Sequence, residues 1–303
     1  MRDEKFVETL CAICETAEFD REIYRANLDD SSSSYDVFSA RRTPDRRHYR
    51  MVQCQNCGLV RSNPIFDDLS IAGLYAGSHF TYDEEATFAA QTYIRYLKNA
   101  LHHLGHAKAR LLEIGCGNGF FLKEAKAIGV DEVYGVEPSH EAVEKSGDLE
   151  EQIYVGMFES NIYPANYFDL ICAFQVFDHI AKPNPFLANV RHYLKQGGLA
   201  LFINHDIGSL AAFLLGERCP MIDVEHTYLY NRMTLRKIFE KNNMEVLDVF
   251  SVSNSYPLNY WMKLAPFPSP VKNFLMDKLE DSDLGRLPCR LSVGNIGIIA
   301  RKN

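Results

Sequence analysis

Three glycines and two acids stand where this chain could hold a nucleotide-type cofactor. Leu111-Leu112-Glu113-Ile114-Gly115-Cys116-Gly117-Asn118-Gly119-Phe120 passes from an apolar run through glycines at every second position. Phe121, Leu122, Ala125 and Ile128 then share one helical face, and Gly129 sits where a helix C-terminus favours a left-handed residue. A turn of this kind brings backbone close to a ligand with no Cβ in the way and aims the N–H groups of a helix start at it. Val133-Tyr134-Gly135-Val136 then ends in Glu137, an acid placed to accept hydrogen bonds from a ribose diol. The dinucleotide spacing G-x-G-x-x-G is not met, because residue 120 is Phe.

Cysteines and histidines supply other chemistry. Four of the eight cysteines form two knuckles, Cys11-x-x-Cys14 and Cys54-x-x-Cys57. A two-residue gap lets both thiolates of a knuckle reach one ion, and two knuckles complete a tetrahedral Zn(II) site with no open position, which implies a structural role. The intervening 39 residues exceed ribbon spacing, so part of them must loop out, and Ser31-Ser32-Ser33-Ser34 is the expected place. Core thiols or a redox pair are the alternatives. Cys116, Cys172, Cys219 and Cys289 read as core or cleft-lining. His226, preceded by Glu225, is a candidate general base, since imidazole titrates near neutral pH. His205, followed by Asp206, and His179, preceded by Asp178, compete for that role, and His226 could instead pack beneath the helix near Thr234. Arg41-Arg42-Thr43-Pro44-Asp45-Arg46-Arg47-His48-Tyr49-Arg50 is a basic island in an acidic chain. Guanidinium forks suit phosphate oxygens, so it fits a diphosphate-bearing or otherwise anionic substrate; a solvated hairpin of the zinc module is the alternative.

These residues need a scaffold. Apolar strands are expected at 133–136, 153–155, 169–174 and 199–203, with gaps long enough for crossover helices. Such alternation predicts an α/β fold with a parallel sheet covered by helices on both faces. Ligands of open α/β sheets bind beyond the carboxyl ends of the strands, where the loops above lie. Further on, a helix at 234–243 and strands near 245–252 and 292–300 are expected. Tyr256–Pro268 is aromatic and punctuated by prolines; it reads as a lid, an interfacial anchor or a packed helix. With 303 residues the chain has room for one main domain plus appendages. Its net charge of -8 argues against nucleic acid as a partner, and no run is long enough for a membrane span. The start Met-Arg-Asp-Glu-Lys lacks the apolar centre of a signal peptide, so a cytoplasmic location is expected.

The pattern Glu113-x-Gly115-x-Gly117-x-Gly119 followed by Glu137 resembles the first motifs of the class I S-adenosylmethionine-dependent methyltransferases. In that family the glycine loop packs against the methionine part of the cofactor and the second acid binds the ribose. Phe168–Ile180 resembles the family's fourth motif, and Gly197-Gly198 its turn into the fifth strand. The resemblance implies S-adenosylmethionine contacts at Glu113, Gly115, Cys116, Gly117, Asn118, Gly119, Glu137 and Pro138. It implies Met157 or Phe158 beside the adenine, with Phe174, Gln175 and Tyr82 completing the pocket. Cys54-x-x-Cys57-Gly58-Leu59-Val60-x-Ser62-Asn63-Pro64 with Leu74-Tyr75 looks like the zinc module of bacterial methyltransferases of sugar and secondary-metabolite pathways, among them C-methyltransferases of nucleotide-linked keto-deoxysugars. Asp223-Val224-Glu225-His226-x-x-Leu229-Tyr230 is similar to a segment in which their Glu and His serve deprotonation, although Asp223 and Val224 depart from it. The expected organisation is a zinc-ribbon module at 1–70, a helical linker at 71–107, a Rossmann-like cofactor core at 108–207 and a C-terminal part with lid and antiparallel edge at 208–303. The implied function is methyl transfer, at carbon or oxygen, to a small-molecule acceptor such as a nucleotide-linked sugar or natural product. A zinc-ribbon binding or regulatory protein on a non-catalytic core is the alternative. Nothing in the sequence sets the oligomeric state.

Overall fold

A computed structural model describes residues 6–28, 38, 46–78, 85–105, 108–264, 269–279 and 282–303. The first part of the chain carries five short strands, β1 (Phe6–Val7), β2 (Asp20–Tyr24), β3 (Met51–Cys54), β4 (Val60–Ser62) and β5 (Ile65–Phe66). Helices α1 (Asp68–Ala76) and α2 (Glu85–Leu104) lead from them to the main sheet. There follow β6 (Arg110–Ile114), α3 (Phe120–Ala127), β7 (Glu132–Glu137), α4 (His140–Glu144), β8 (Ile153–Val155), β9 (Phe168–Phe174), α5 (Pro183–Tyr193) and β10 (Leu194–His205). The chain ends with α6 (Leu210–Leu215), β11 (Tyr228–Leu229), α7 (Arg232–Lys241), β12 (Met244–Pro257), α8 (Leu258–Leu264), α9 (Ser269–Leu279) and β13 (Pro288–Lys302).

The main sheet runs in the order β12-β13-β10-β9-β6-β7-β8. β6 to β10 are parallel, whereas β13 is antiparallel to both β10 and β12. This is the expected Rossmann-like, doubly wound sheet with an antiparallel edge. Its strands are buried on both faces, and alternate residues feed two separate cores. Leu170, Cys172 and Phe174 of β9 face α2 and α3 with Leu97, Phe121 and Leu122. Ile171 and Ala173 face α5 and α7 with Leu187, Val190, Leu235 and Phe239. From β6 the chain proceeds to β7 and β8 on one side, then crosses to β9 and β10 on the other. The reversal opens a crevice between β6 and β9, where such sheets bind ligands.

The expected strands are found, with differences that have local causes. Gly197-Gly198 does not precede the fifth strand but sits within β10, where the pairing jumps from Leu194↔Phe168 to Leu199↔Leu170. The positive φ of Gly197 (77°) accommodates that bulge. Helix α7 starts two residues before Thr234: Asn231 is the cap, its side chain accepting from the Met233 and Thr234 N–H groups, while Thr234 closes the capping box from inside. Ile128 ends α3 as its cap and is half-exposed, so it leaves the buried face of Phe121, Leu122 and Ala125, and Gly129 (φ 99°) turns the chain after it.

The N-terminal strands are joined to the rest of the chain. β11 pairs with β4, so residues 228–229 complete the sheet β11-β4-β3-β2. Arg61 on β4 is fully buried and clamps Asp20 through two nitrogens (2.7 and 2.5 Å), with Thr9 bonded to its Nε and Nη2. Among the described residues no helix is long and apolar enough to cross a membrane.

Candidate active site and a four-cysteine cluster

The glycine turn leaves β6 with Gly115 at φ 71°, where a Cβ would meet Val176 Cγ2 at 2.5 Å; only glycine fits there. The N–H groups of Gly115 and Cys116 both donate to the Val136 carbonyl (2.8 and 3.2 Å), which ties the turn to β7. Glu137, at the end of β7, accepts from Gly117 N–H through Oε2 and from Ser139 N–H through Oε1, both at 2.9 Å. Burial pushes its carboxyl above the usual range, against the pull of those two N–H groups. Glu113 is 2% exposed and its Oε2 accepts no hydrogen bond among the described residues. Burial, then the neighbouring Glu137 charge, hold its carboxyl well above the ordinary range. The turn is therefore tied to Glu137, which also lines a cavity.

That cavity has a volume of about 1100 Å³. It is large for a single small-molecule pocket and has room for a cofactor and an acceptor. Glu113, Gly115, Gly117, Glu137, Pro138, Met157, Phe158, Phe174 and Gln175 line it, as do His179, His205, Glu225 and His226. Among the other expected cofactor residues, Cys116, Asn118 and Gly119 belong to the turn but not to the wall. Cys116 is fully buried, Asn118 Oδ1 accepts from Phe120 N–H (3.3 Å), and Gly119 caps α3. Tyr82 lies outside the described residues. Further aromatic side chains complete the walls, Tyr93 outside the expected residues and three others from the segment read as a lid, an interfacial anchor or a packed helix. Tyr93 of α2 stacks on Phe174 at 4.2 Å, and Tyr256, Tyr260 and Trp261 form a cluster at the start of α8. Trp261 is anchored by its Nε1–H on the Cys289 carbonyl (2.8 Å). This is the described part of the aromatic segment; residues 265–268 lie outside it.

On the same cavity, three histidines surround Asp178. The aspartate sits in the short turn after β9 and is fully buried. His205 at the end of β10 reaches Asp178 Oδ2 through Nδ1 (2.7 Å) and through its backbone N–H (3.1 Å). His226, in the loop before β11, lies against both His205 and His179, with ring centroids 4.7 and 4.6 Å apart. Burial alone would raise the Asp178 carboxyl; the His205 hydrogen bond and the three imidazoles hold it well below the usual range instead. An ionised carboxylate can only accept, so His205 carries its proton on Nδ1 and leaves Nε2 able to take another. Neither Asp178 nor Tyr75 stood among the expected site residues. Asp178 was visible only as a neighbour of His179, and Tyr75, whose hydroxyl meets His179 Nδ1 at 2.7 Å, only as part of the zinc-module resemblance.

The same loop depends on the N-terminal strands. Ser62 of β4 bonds the His226 carbonyl through Oγ (2.8 Å) and the Thr227 carbonyl through N–H (2.9 Å), and Thr227 N–H reaches the Asp178 carbonyl (2.9 Å). Of the basic island, residues 41–45 lie outside the described residues. Arg50 is engaged by Glu22 (2.7 Å), and His48 is buried between the Tyr49 carbonyl and Glu217.

The two cysteine knuckles meet. Cys11 and Cys57 sulfurs are 3.4 Å apart, those of Cys14 and Cys54 3.8 Å, and all four lie within 4.8 Å of one another. A tetrahedral ion with sulfur bonds of about 2.3 Å sets its ligands about 3.8 Å apart, so the donor set fits zinc. Burial would raise the Cys54 thiol, yet the N–H groups of Cys57 and Asn56 bring it below its ordinary value.

A family model described as a methyltransferase domain matches residues 86–249. The ubiquinone biosynthesis O-methyltransferase of Ruegeria pomeroyi is 30% identical over 122 residues, which is 38% of this chain and 49% of that protein. The enzyme of the same name from another Ruegeria strain is 28% identical over the same length. The chain thus spans about half the length of the curated relatives it matches. Among solved structures, a SAM-dependent methyltransferase from Archaeoglobus fulgidus superposes with a TM-score of 0.47 at 21% identity, covering 72% of this chain and 94% of that one.

Proposed function

We infer, for a chain that belongs to the methyltransferase-domain family, that it transfers the methyl group of S-adenosylmethionine to a small-molecule acceptor. The carrying observation is that two built groups of residues meet at one cavity. Glu137 and the glycines Gly115 and Gly117 line it, and so does His205, which Asp178 holds from beneath. When bound, the cofactor supplies an electrophilic methyl on a sulfonium. Glu137 accepts from the ribose hydroxyls, the glycine turn admits the methionine part, and Met157 and Phe158 flank the adenine. Phe174, Tyr93 and the Tyr256–Trp261 cluster exclude water and align the acceptor with the methyl. His205 removes the acceptor's proton through Nε2, while Asp178 fixes its tautomer and stabilises the charged imidazole.

The base role moves to His205 from His226, because His205 is the imidazole bonded to Asp178; His226 Nε2 is 4.0 Å from the same oxygen. His226 and Glu225 then line the acceptor side. An acceptor with an acidic oxygen or carbon, such as a phenol or a nucleotide-linked keto-sugar, suits this arrangement. Binding decides first. S-adenosylhomocysteine should bind the purified chain in calorimetry, and Glu137→Ala should lose about 1.5–3 kcal/mol, roughly ten- to hundredfold in affinity. Unchanged affinity in that variant would overturn the cofactor assignment, and no binding to the parent chain would favour the non-catalytic alternative.

Zinc belongs to the same proposal, as a structural ion held by Cys11, Cys14, Cys54 and Cys57. Protein purified without chelator should carry one equivalent at this cluster. Cys54→Ser should release it and lower the unfolding temperature, because the knuckles share an apolar core with α5 and α7. Metal-free protein of unaltered stability would refute the zinc assignment.

A further inference from the structure

We propose that Asp178, His179 and His226 form a second metal site, which holds a divalent transition cation at the cavity wall and presents it to an oxygen of the acceptor. Only the last clause rests on the methyl-transfer reading; the site itself stands on geometry. His179 Nε2 lies 3.8 Å from Asp178 Oδ1, and His226 Nε2 lies 4.0 Å from Asp178 Oδ2. One donor atom from each of the three residues falls within 4.8 Å of the others. Nitrogen and oxygen ligands at about 2.0–2.1 Å from a tetrahedral ion sit about 3.4 Å apart, so each of these two nitrogen–oxygen separations is within roughly half an ångström of what an ion requires. At their present separations the nitrogens are too far from the carboxylate to hydrogen-bond to it.

Asp178 offers an independent observation. Its Oδ2 takes two bonds from His205, but its Oδ1 is buried and accepts no hydrogen bond among the described residues. A fully buried carboxylate with one bare oxygen is costly unless a cation or donor meets it. The supporting contacts of a metal site are in place as well. Tyr75 holds His179 Nδ1 and thereby aims Nε2 at the carboxylate, while His205 holds the other carboxylate oxygen. Two imidazoles and one carboxylate leave coordination positions open, unlike the closed four-cysteine cluster, and both histidines line the cavity. A cation there would bind and acidify an acceptor hydroxyl beside His205. The preferred acceptor is then one with an ionisable oxygen next to the methylated atom, or with the oxygen itself methylated.

Mn2+ discriminates between the two sites, since it favours carboxylate and imidazole over a thiolate tetrahedron. Titrated into the full chain with its cysteine cluster filled by zinc, and followed by the electron paramagnetic resonance of free Mn2+, it should bind at one equivalent. Zinc, measured in parallel by metal analysis, should bind as a second equivalent. Asp178→Asn and the double variant His179→Gln/His226→Gln should each bind at least tenfold more weakly, with S-adenosylhomocysteine affinity unchanged. If Asp178→Asn fails to fold, the histidine variant decides. A parent chain that takes up neither Mn2+ nor a second zinc overturns the proposal, and so does full uptake by the folded variants. Absence of S-adenosylhomocysteine binding with the second metal retained would instead sink the methyl-transfer reading and leave the metal site standing.

Discussion

His205→Ala is expected to lower turnover by about 10²–10⁴, the range for a positioned general base, with S-adenosylhomocysteine affinity unchanged. The expectation rests on one bond. Asp178 Oδ2 meets His205 Nδ1 at 2.7 Å, and the carboxylate is held in its charged form by the imidazoles around it. The imidazole is thus fixed in one tautomer and one orientation, and removing it takes away both the proton acceptor and the partner of a buried charge. Asp178→Asn should also impair turnover, because an amide can present N–H to Nδ1 and invert the tautomer. The measurement is release of S-adenosylhomocysteine with phenolic and nucleotide-sugar acceptors. Retained activity in His205→Ala beside a loss in His226→Ala would return the role to His226. Activity retained in both variants would mean that no histidine base is needed and that catalysis rests on alignment.

Arg61→Ala is expected to destabilise the protein by about 3–5 kcal/mol in chemical denaturation, the cost of breaking a buried ion pair from one side. Arg61 is fully buried, and the side chain of its partner Asp20 is 11% exposed, so the stranded carboxylate would be poorly hydrated. Thr9 would lose the two bonds that Arg61 donates to it, while keeping those to Ser62 and Asn63. The consequence reaches the cavity. Arg61 and Ser62 are adjacent on β4, which pairs with β11 and holds the His226 and Thr227 carbonyls. Loosening β4 should therefore weaken acceptor binding, seen as a raised KM, more than cofactor binding, which depends on β6 and β7. A loss below about 1 kcal/mol would show that solvent reaches this pair and that the clamp is not a buried one.

Much of the geometry around the glycine turn could be read in the sequence because its determinants are local. The glycines from 115 to 119 lie in one turn, and a single βα crossover carries the chain from them to Glu137 on the adjacent strand. Backbone sterics and the period-two burial of β6, β7 and β9 leave few ways to arrange such a segment. The cysteine spacing was legible for a similar reason: a thiolate pair two residues apart can grip one ion, whatever loops out between the pairs. The histidine cluster at the cavity was decided by tertiary structure. Asp178, His205 and His226 come from a short turn, a strand end and a separate loop, and pairing of Asp178 with His205 depends on where β9 and β10 end in their shared register. His226 is positioned by β4, some 160 residues earlier in the chain, through β11. Spacing along a sequence carries no record of such non-local contacts. It marked three histidines as candidates at one rim; only the packed sheet, with a buried carboxylate beneath them, distinguished the one bonded to Asp178.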